Sequence, residues 1–311
     1  MDAVTGNAYA KVNLGLDIVG IREDGYHLVK MVMQTVELHD VLSFRKNGGT
    51  EVVLRISDKS TLPDLADVPT DGRNLIVKAA ERMRQRYGIT EGVDITLEKH
   101  IPMAAGMAGG STDCAAALRG MAGLFGLPCT EEELAEIGVS LGADVPYCLV
   151  GGTALSEGIG EVLTPLSPMP CCGMIVVKPD FGASTKEVYG AYDSLDPAGI
   201  EHPDIDGMVR ALGKGDISGV LKRLGNVLED VTAGLHPEIH RIEELLIECG
   251  AVTAIMTGSG PTVFGILPEG QDAAAKVEMK NRAEAFLKEE GIAAAVYMTR
   301  VYDPQEVADE T

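Results

Sequence analysis

Between Pro102 and Asp113 the sequence reads PMAAGMAGGSTD, a run of small residues between an alternating apolar segment and an Ala- and Leu-rich stretch. Glycine removes the Cβ that would keep a backbone away from a ligand, so such a run can bring N–H groups close to an anion. The Ser111-Thr112-Asp113 triplet reads as a helix entry, because these side chains cap unpaired amides. A helix N-terminus adds unsatisfied donors and a favourable dipole, and phosphate is the anion such an arrangement suits. Neither GxxxxGK[ST] nor a complete GxGxxG is present, so a simple tight strand-to-helix turn stands as the competing reading of the same residues.

The elements that would position this run are legible on both sides. Asn7–Ile21, Val32–Phe44 and Glu51–Ile56 alternate as strands, and 74–87 carries apolar residues at helical spacing behind an Asn that suits an N-cap. Val93–Leu97 alternates as the strand that feeds the glycines, and a helix runs from Gly110 to Phe125. Thr130 with Glu133 forms a capping box for a helix toward Leu141, where Gly142 can stop it. Prolines between Glu161 and Pro170 mark a boundary. Beyond it lie a strand at 173–177, helices at 185–192 and 237–249, a hairpin at 251–267, a helix at 272–289 and a strand at 293–301. The polar end 303–311 carries no such pattern. The length of 311 residues favours two packed domains, here 1–164 and 165–311.

Composition narrows the class. With 45% hydrophobic residues, 4% aromatic and no Trp, the core is aliphatic, as in mixed α/β enzymes. The formal charge of −21 opposes attraction to nucleic acid or anionic membranes, so a phosphate-bearing ligand needs a local positive site. Six Cys lack CxxC pairing or metal-ligand spacing and read as reduced thiols, adjacent Cys171-Cys172 included. No signal peptide and no apolar run near the roughly 20 residues of a membrane span appears, which predicts a soluble cytoplasmic protein. Nothing in the pattern specifies an oligomeric state.

Three ordered segments carry a family resemblance: AYAKVNLGL at 8–16, the glycine run, and TGSGPTVFG at 257–265. Together they resemble the GHMP kinases, whose phosphate loop is of the PxxxGLGSSAA type. Gly106, Gly109, Gly110 and Ser111 match, whereas Met107 stands for the usual Leu and Thr112-Asp113 departs from Ser-Ala. Asp24-Gly25-Tyr26-His27 and LGADVPYCLVGGTALSEGIGE at 141–161 are similar to the branch that phosphorylates diphosphocytidyl methylerythritol. The resemblance implies a two-domain α+β fold with a ribosomal-protein-S5-like N-terminal domain and a ferredoxin-like C-terminal domain. It also implies ATP as phosphoryl donor, Mg2+, and an acceptor hydroxyl on a small cytidine-diphosphate-linked substrate. Two other readings stand beside it: a GHMP kinase for mevalonate, homoserine or a sugar, against which Asp24–His27 discriminates, and an inactive GHMP-like ligand sensor.

By the same resemblance, Asp144 accepts the hydroxyl proton and Lys11 stabilises the transferred phosphoryl group, with Asn13 supporting the acceptor. Without the motifs these would read as a loop carboxylate and a solvated cation. ATP falls to Pro102, Met103, Ala104, Ala105, Gly106, Met107, Ala108, Gly109, Gly110 and Ser111, the last also the candidate Mg2+ contact. Lys99 and Asn74 match positions on the adenosine side, although an exposed strand-end lysine and a helix N-cap account for them too. Gly258, Ser259 and Gly260 read either as a segment closing on the nucleotide or as a hairpin turn. His27 would read the edge of cytosine, with Tyr26 and Tyr189 as aromatic surfaces.

Overall fold

Residues 2–63 and 65–302 are described in a computed structural model of the chain; the polar end 303–311 lies outside them. In chain order the elements are β1 (Ala3–Ile21), β2 (His27–Lys46), β3 (Val52–Ile56), α1 (Leu75–Tyr87), β4 (Val93–Glu98), α2 (Gly109–Phe125), α3 (Glu131–Val139) and α4 (Val145–Val150). There follow β5 (Thr153–Glu157), β6 (Val162–Pro165), β7 (Gly173–Pro179), α5 (Thr185–Tyr192), α6 (Ile205–Leu212), α7 (Ile217–Leu221), β8 (Gly225–Asn226) and α8 (Glu229–Leu235). The chain closes with α9 (Glu238–Glu248), β9 (Thr253–Met256), β10 (Val263–Ile266), α10 (Ala273–Glu289) and β11 (Ala294–Arg300). None of these helices is long and apolar enough to cross a membrane. All six cysteines are free thiols.

Contacts gather the chain into two units that no single cut at 164/165 reproduces, because the long strands β1 and β2 contribute to both. One unit holds Met1–Ala10, Leu38–Met103 and Ala108–Gly151; the other holds Lys11–Glu37, Ala104–Met107 and Gly152–Thr311.

In the first unit the strand order is β3-β4-β2-β1. Alternation makes this sheet: Val93, Ile95 and Leu97 of β4 are buried on one face, pairing antiparallel with Phe44 and Leu42 of β2 and parallel with Val52, Leu54 and Ile56 of β3. α1 buries Ile76, Val77, Ala79, Ala80 and Met83 at helical spacing; Asn74 starts it by accepting from the Ile76 N–H, and Gly88, at φ 64°, ends it. α3 opens on the expected capping box of Thr130 and Glu133. α2 is buried almost throughout, through Cys114, Ala115, Ala117, Leu118 and Met121, and its small residues let it lie close to the sheet.

In the second unit, β1 pairs in parallel with β8 at Gly15 and Leu16, and β2 pairs antiparallel with β5. A separate four-stranded sheet has the order β11-β7-β10-β9, antiparallel throughout. Helices intervene between its first and second strands and α10 between its third and fourth, which is the ferredoxin-like arrangement. α9 and α10 pack against it.

The closeness of α2 to β2 is testable at one glycine. A Cβ on Gly120 would stand 2.2 Å from the ring of Phe44, whereas one on Gly123 would meet only Val4, at 3.8 Å. Gly120→Ala is expected to lower stability by about 1–3 kcal/mol through overpacking. Gly123→Ala should raise it by up to about 1 kcal/mol through helix propensity. Denaturant midpoints measure both, and a Gly120→Ala protein as stable as the wild type would contradict this packing.

Candidate active site

The run from Pro102 to Ser111 leaves β4 and enters α2 with three residues in the left-handed region: Ala104 at φ 48°, Gly106 at φ 67° and Ala108 at φ 56°. An alanine there costs roughly 1–2 kcal/mol, so the surroundings must hold the loop in this form. α2 begins at Gly109 with Ala108 as N-cap and no side-chain cap. The expected entry through Ser111, Thr112 and Asp113 is therefore corrected: these residues lie inside the first turns. Thr112 Oγ1 donates to the Tyr9 carbonyl at 2.7 Å, and Asp113 turns to Lys99. A helix start without a capping side chain keeps its N–H groups available to an anion.

The second unit brings the early motif, the loop apex and the late motif together. Lys11 is buried, and its ammonium donates to Asn13 Oδ1 at 2.7 Å and to the Gly106 carbonyl at 2.9 Å. The Asn13 N–H donates to Thr257 Oγ1 at 2.9 Å, and the Lys11 N–H to the Met107 carbonyl at 3.2 Å. Gly106 has no room for a side chain: a Cβ would stand 2.5 Å from the Thr257 carbonyl oxygen. Gly258 lies against it in turn, its added Cβ 3.1 Å from the Gly106 oxygen. Residues 257–260 are thus more than a hairpin turn between β9 and β10.

The first unit holds Asn74, Lys99, Gly109, Gly110, Ser111 and Asp144. Asn74 caps α1, and its amide also donates to the Pro69 carbonyl at 2.7 Å. Lys99 is not the exposed strand-end lysine of one sequence reading. It is 4% exposed, with its ammonium between Asp40 and Asp113. Burial works against that charge, yet the two carboxylates hold its pKa above the usual lysine value. Asp144 precedes α4, a helix absent from the sequence reading, with no side-chain cap bond and Pro146 in its first turn. A side chain on Gly142 would come within 3.7 Å of Ser111 Oγ.

His27 begins β2, and its Nε2 lies 2.6 Å from Asp193 Oδ1. The carboxylate can only accept, so Nε2 carries the proton, and in the tautomer this selects Nδ1 is the acceptor. Tyr189 of α5 flanks the imidazole at 4.7 Å between centroids and Tyr192 meets it edge-on at 6.2 Å. Tyr26 is 60% exposed.

Sequence reasoning missed several supports. Tyr192 and Asp193 were signalled only by the i, i+3 and i, i+4 spacing from Tyr189 at the end of an amphipathic helix. Asn226 donates to the carbonyls of Met256 and Gly258 at 3.0 and 2.8 Å, and Glu229 accepts from the Met256 N–H at 2.7 Å, bracing the 257–260 segment. No motif announces either. Glu229, His240 and Glu243 also bring ligand atoms within 4.8 Å of one another, a grouping in which burial pushes Glu229 up to about 8.

Gly106→Ala tests the junction of the motifs, because the variant can fold only by moving 257–260 or the loop apex. It is expected to speed hydrogen exchange at 257–260 and to weaken ATP binding by about tenfold or more, a loss on the order of 1.4 kcal/mol. Wild-type exchange and affinity in this variant would contradict the contact.

Comparison with known proteins identifies the family. The family description "GHMP kinases N terminal domain" matches residues 74–152, and "GHMP kinases C terminal" matches 208–285. A 4-diphosphocytidyl-2-C-methyl-D-erythritol kinase of Lachnospira eligens is 45% identical over 98% of this chain and 100% of its own. A crystal structure of 4-(cytidine 5'-diphospho)-2C-methyl-D-erythritol kinase superposes with a TM-score of 0.75 at 29% identity, covering 96% of this chain and 100% of that one. The homoserine kinase of Cytophaga hutchinsonii reaches a TM-score of 0.73 at 18% identity, over 97% and 95% of the two chains, which is a likeness of fold alone. The chain belongs to the GHMP kinases and, within them, to the 4-diphosphocytidyl-2-C-methyl-D-erythritol kinase family.

Proposed function

We propose that the protein transfers the γ-phosphoryl group of ATP to the C2 hydroxyl of 4-diphosphocytidyl-2-C-methyl-D-erythritol, giving the 2-phosphate and ADP. This is a cytoplasmic step of the non-mevalonate route to isoprenoid precursors. The observation that carries the reading is the hydrogen-bonded set of Lys11, Asn13, Gly106 and Thr257, which joins three family motifs in one unit of a chain with near-full-length relatives of that name.

ATP phosphates bind the uncapped start of α2 and the loop before it, with 258–260 as a second binding segment and Asn74 on the nucleoside side. Lys11, which donates to Asn13 Oδ1 and to the Gly106 carbonyl, stabilises charge on the transferred group, and Asn13 orients the acceptor. Asp144 takes the hydroxyl proton as the C2 oxygen attacks, so the hydroxyl loses its proton as the new O–P bond forms and ADP leaves. Mg2+ in such transfers neutralises oxygens of the β- and γ-phosphates. The half-buried Ser111 hydroxyl in the first turn of α2 would hold the cation, which would offset negative charge on the phosphates.

Acceptor choice is assigned to His27. With Nε2–H held by Asp193, Nδ1 can accept from the exocyclic amino group of cytosine and meets only a carbonyl oxygen in uracil. Tyr189 supplies the ring against which the base stacks.

Two experiments test the roles. Asp144→Asn should lower kcat by about 10²–10⁴-fold while ATP still binds, and near-wild-type turnover by the folded variant would remove Asp144 from the reaction. His27→Ala and Asp193→Asn should both erode the preference for the cytosine substrate over its uracil analogue, measured as the ratio of kcat/KM values. Tyr189→Phe should preserve that preference. Undiminished discrimination in the first two variants would reject the edge-reading role.

A further inference from the structure

The mechanism leaves the buried group of Lys99, Asp40 and Asp113 unused. Asp40, on β2, accepts from the backbone N–H groups of His100 and Ile101, the two residues immediately before Pro102. Its other oxygen accepts from the Lys99 ammonium, which also donates to Asp113 Oδ2 at 2.7 Å. Asp113 lies in the second turn of α2, just past the other end of the loop. A Cβ on Gly109, the first residue of that helix, would stand 3.3 Å from Lys99 Nζ and 3.1 Å from Ile101 Cγ2. One buried cation is therefore tied by two carboxylates to the residues that enter the phosphate loop and to those that leave it. We infer that Lys99 serves ATP binding as a positioning residue: with Asp40 and Asp113 it forms a clamp that sets the spacing of the two ends of the phosphate loop, and it does so without touching the nucleotide.

The chemistry of the triad suits that task. The three side chains are nearly inaccessible, at 4%, 0% and 4% exposure for Lys99, Asp40 and Asp113. A rigid, water-free ion group fixes geometry in a way an exposed pair does not. Two carboxylates against one cation would leave surplus negative charge beneath a phosphate site. Burial, opposed by Lys99 and reinforced by Asp40, pushes Asp113 up to about 8, so near neutrality it is largely the neutral acid and the group is charge-balanced. Its Oδ1 is buried with no hydrogen-bond partner, so its tie to the cation runs through Oδ2 and Lys99. The left-handed alanines at 104 and 108 need such an external constraint, since neither favours that conformation by itself.

The inference rests on the proposed use of the loop for ATP phosphates, and the test keeps the two claims apart by measuring binding rather than turnover. Asp113→Ala cuts the clamp but leaves Lys99 paired with Asp40, so folding should survive; Asp113→Asn keeps an amide oxygen for Lys99 and copies the neutral acid. By isothermal calorimetry, Asp113→Ala is expected to bind MgATP about tenfold or more weakly, as loss of a buried hydrogen bond to a charged group implies, and Asp113→Asn should recover most of that loss. Affinity for 4-diphosphocytidyl-2-C-methyl-D-erythritol alone should stay within about threefold of wild type in both. An Asp113→Ala protein that binds MgATP as the wild type does overturns the clamp. So does a parallel loss of both ligands, which would mark the triad as general structural support. If the wild type binds MgATP but phosphorylates no acceptor, the proposed function fails while the clamp stands on its binding data.

Discussion

The amides at the start of α2 carry no capping side chain, and the rest of the site is organised around keeping them so. A helix start normally satisfies its first N–H groups through Ser, Thr, Asp or Asn at the N-cap; here an alanine in a left-handed conformation takes that position. The resulting loop has little intrinsic stability. Its shape comes from outside: Lys11 and the 257–260 segment at its apex, and Asp40 and Lys99 at its ends. Small residues throughout the run are what allow these supports to approach so closely.

Charge is handled locally in a strongly acidic chain. A net charge of −21 disfavours any anionic ligand at long range, so recognition of phosphate depends on oriented amides and a few buried cations. The two lysines involved are both 4% exposed but are kept in different ways. Lys11 donates to an amide oxygen and a backbone carbonyl. Lys99 sits between Asp40 and Asp113, and the group of three is charge-balanced because burial keeps Asp113 largely protonated. A buried charge needs such partners in either case, because leaving one unpaired costs several kcal/mol, ~3–5 for a broken buried pair.

Much of this was legible in the sequence, for reasons that differ by element. α1, α3, β4, α5, α9 and α10 followed their periodicity and caps closely, since each is amphipathic and locally consistent. The short α4, α7, α8 and β8 were not visible: each spans two turns or fewer, or only two residues, and its place is set by packing and by strand pairing rather than by its own pattern, whereas α6 was missed although it is amphipathic and capped by Asp204. The glycine run was legible as a tight strand-to-helix loop, but its cap was misplaced because Ser111-Thr112-Asp113 has the composition of an N-cap and tertiary partners, Tyr9 and Lys99, claimed two of its side chains. Lys99 read as a ligand contact or an exposed lysine because no local signal pairs it with Asp40, 59 positions away. His27 stands out through its motif, whereas Asp193, which sets its tautomer, is a distant carboxylate that only the fold reveals.

The acceptor is where the account is most exposed, because the fold is shared with kinases of homoserine and mevalonate. Phosphorus NMR of reactions containing the protein, Mg2+ and ATP with one acceptor at a time tests it directly, using 4-diphosphocytidyl-2-C-methyl-D-erythritol, mevalonate, homoserine and galactose. The account predicts ADP and a new phosphomonoester resonance on the diphosphocytidyl compound, with its diphosphate resonances intact, and only background with the other three. Phosphorylation of mevalonate, homoserine or galactose at a comparable rate, or ATP binding with no phosphomonoester from any acceptor, would contradict it.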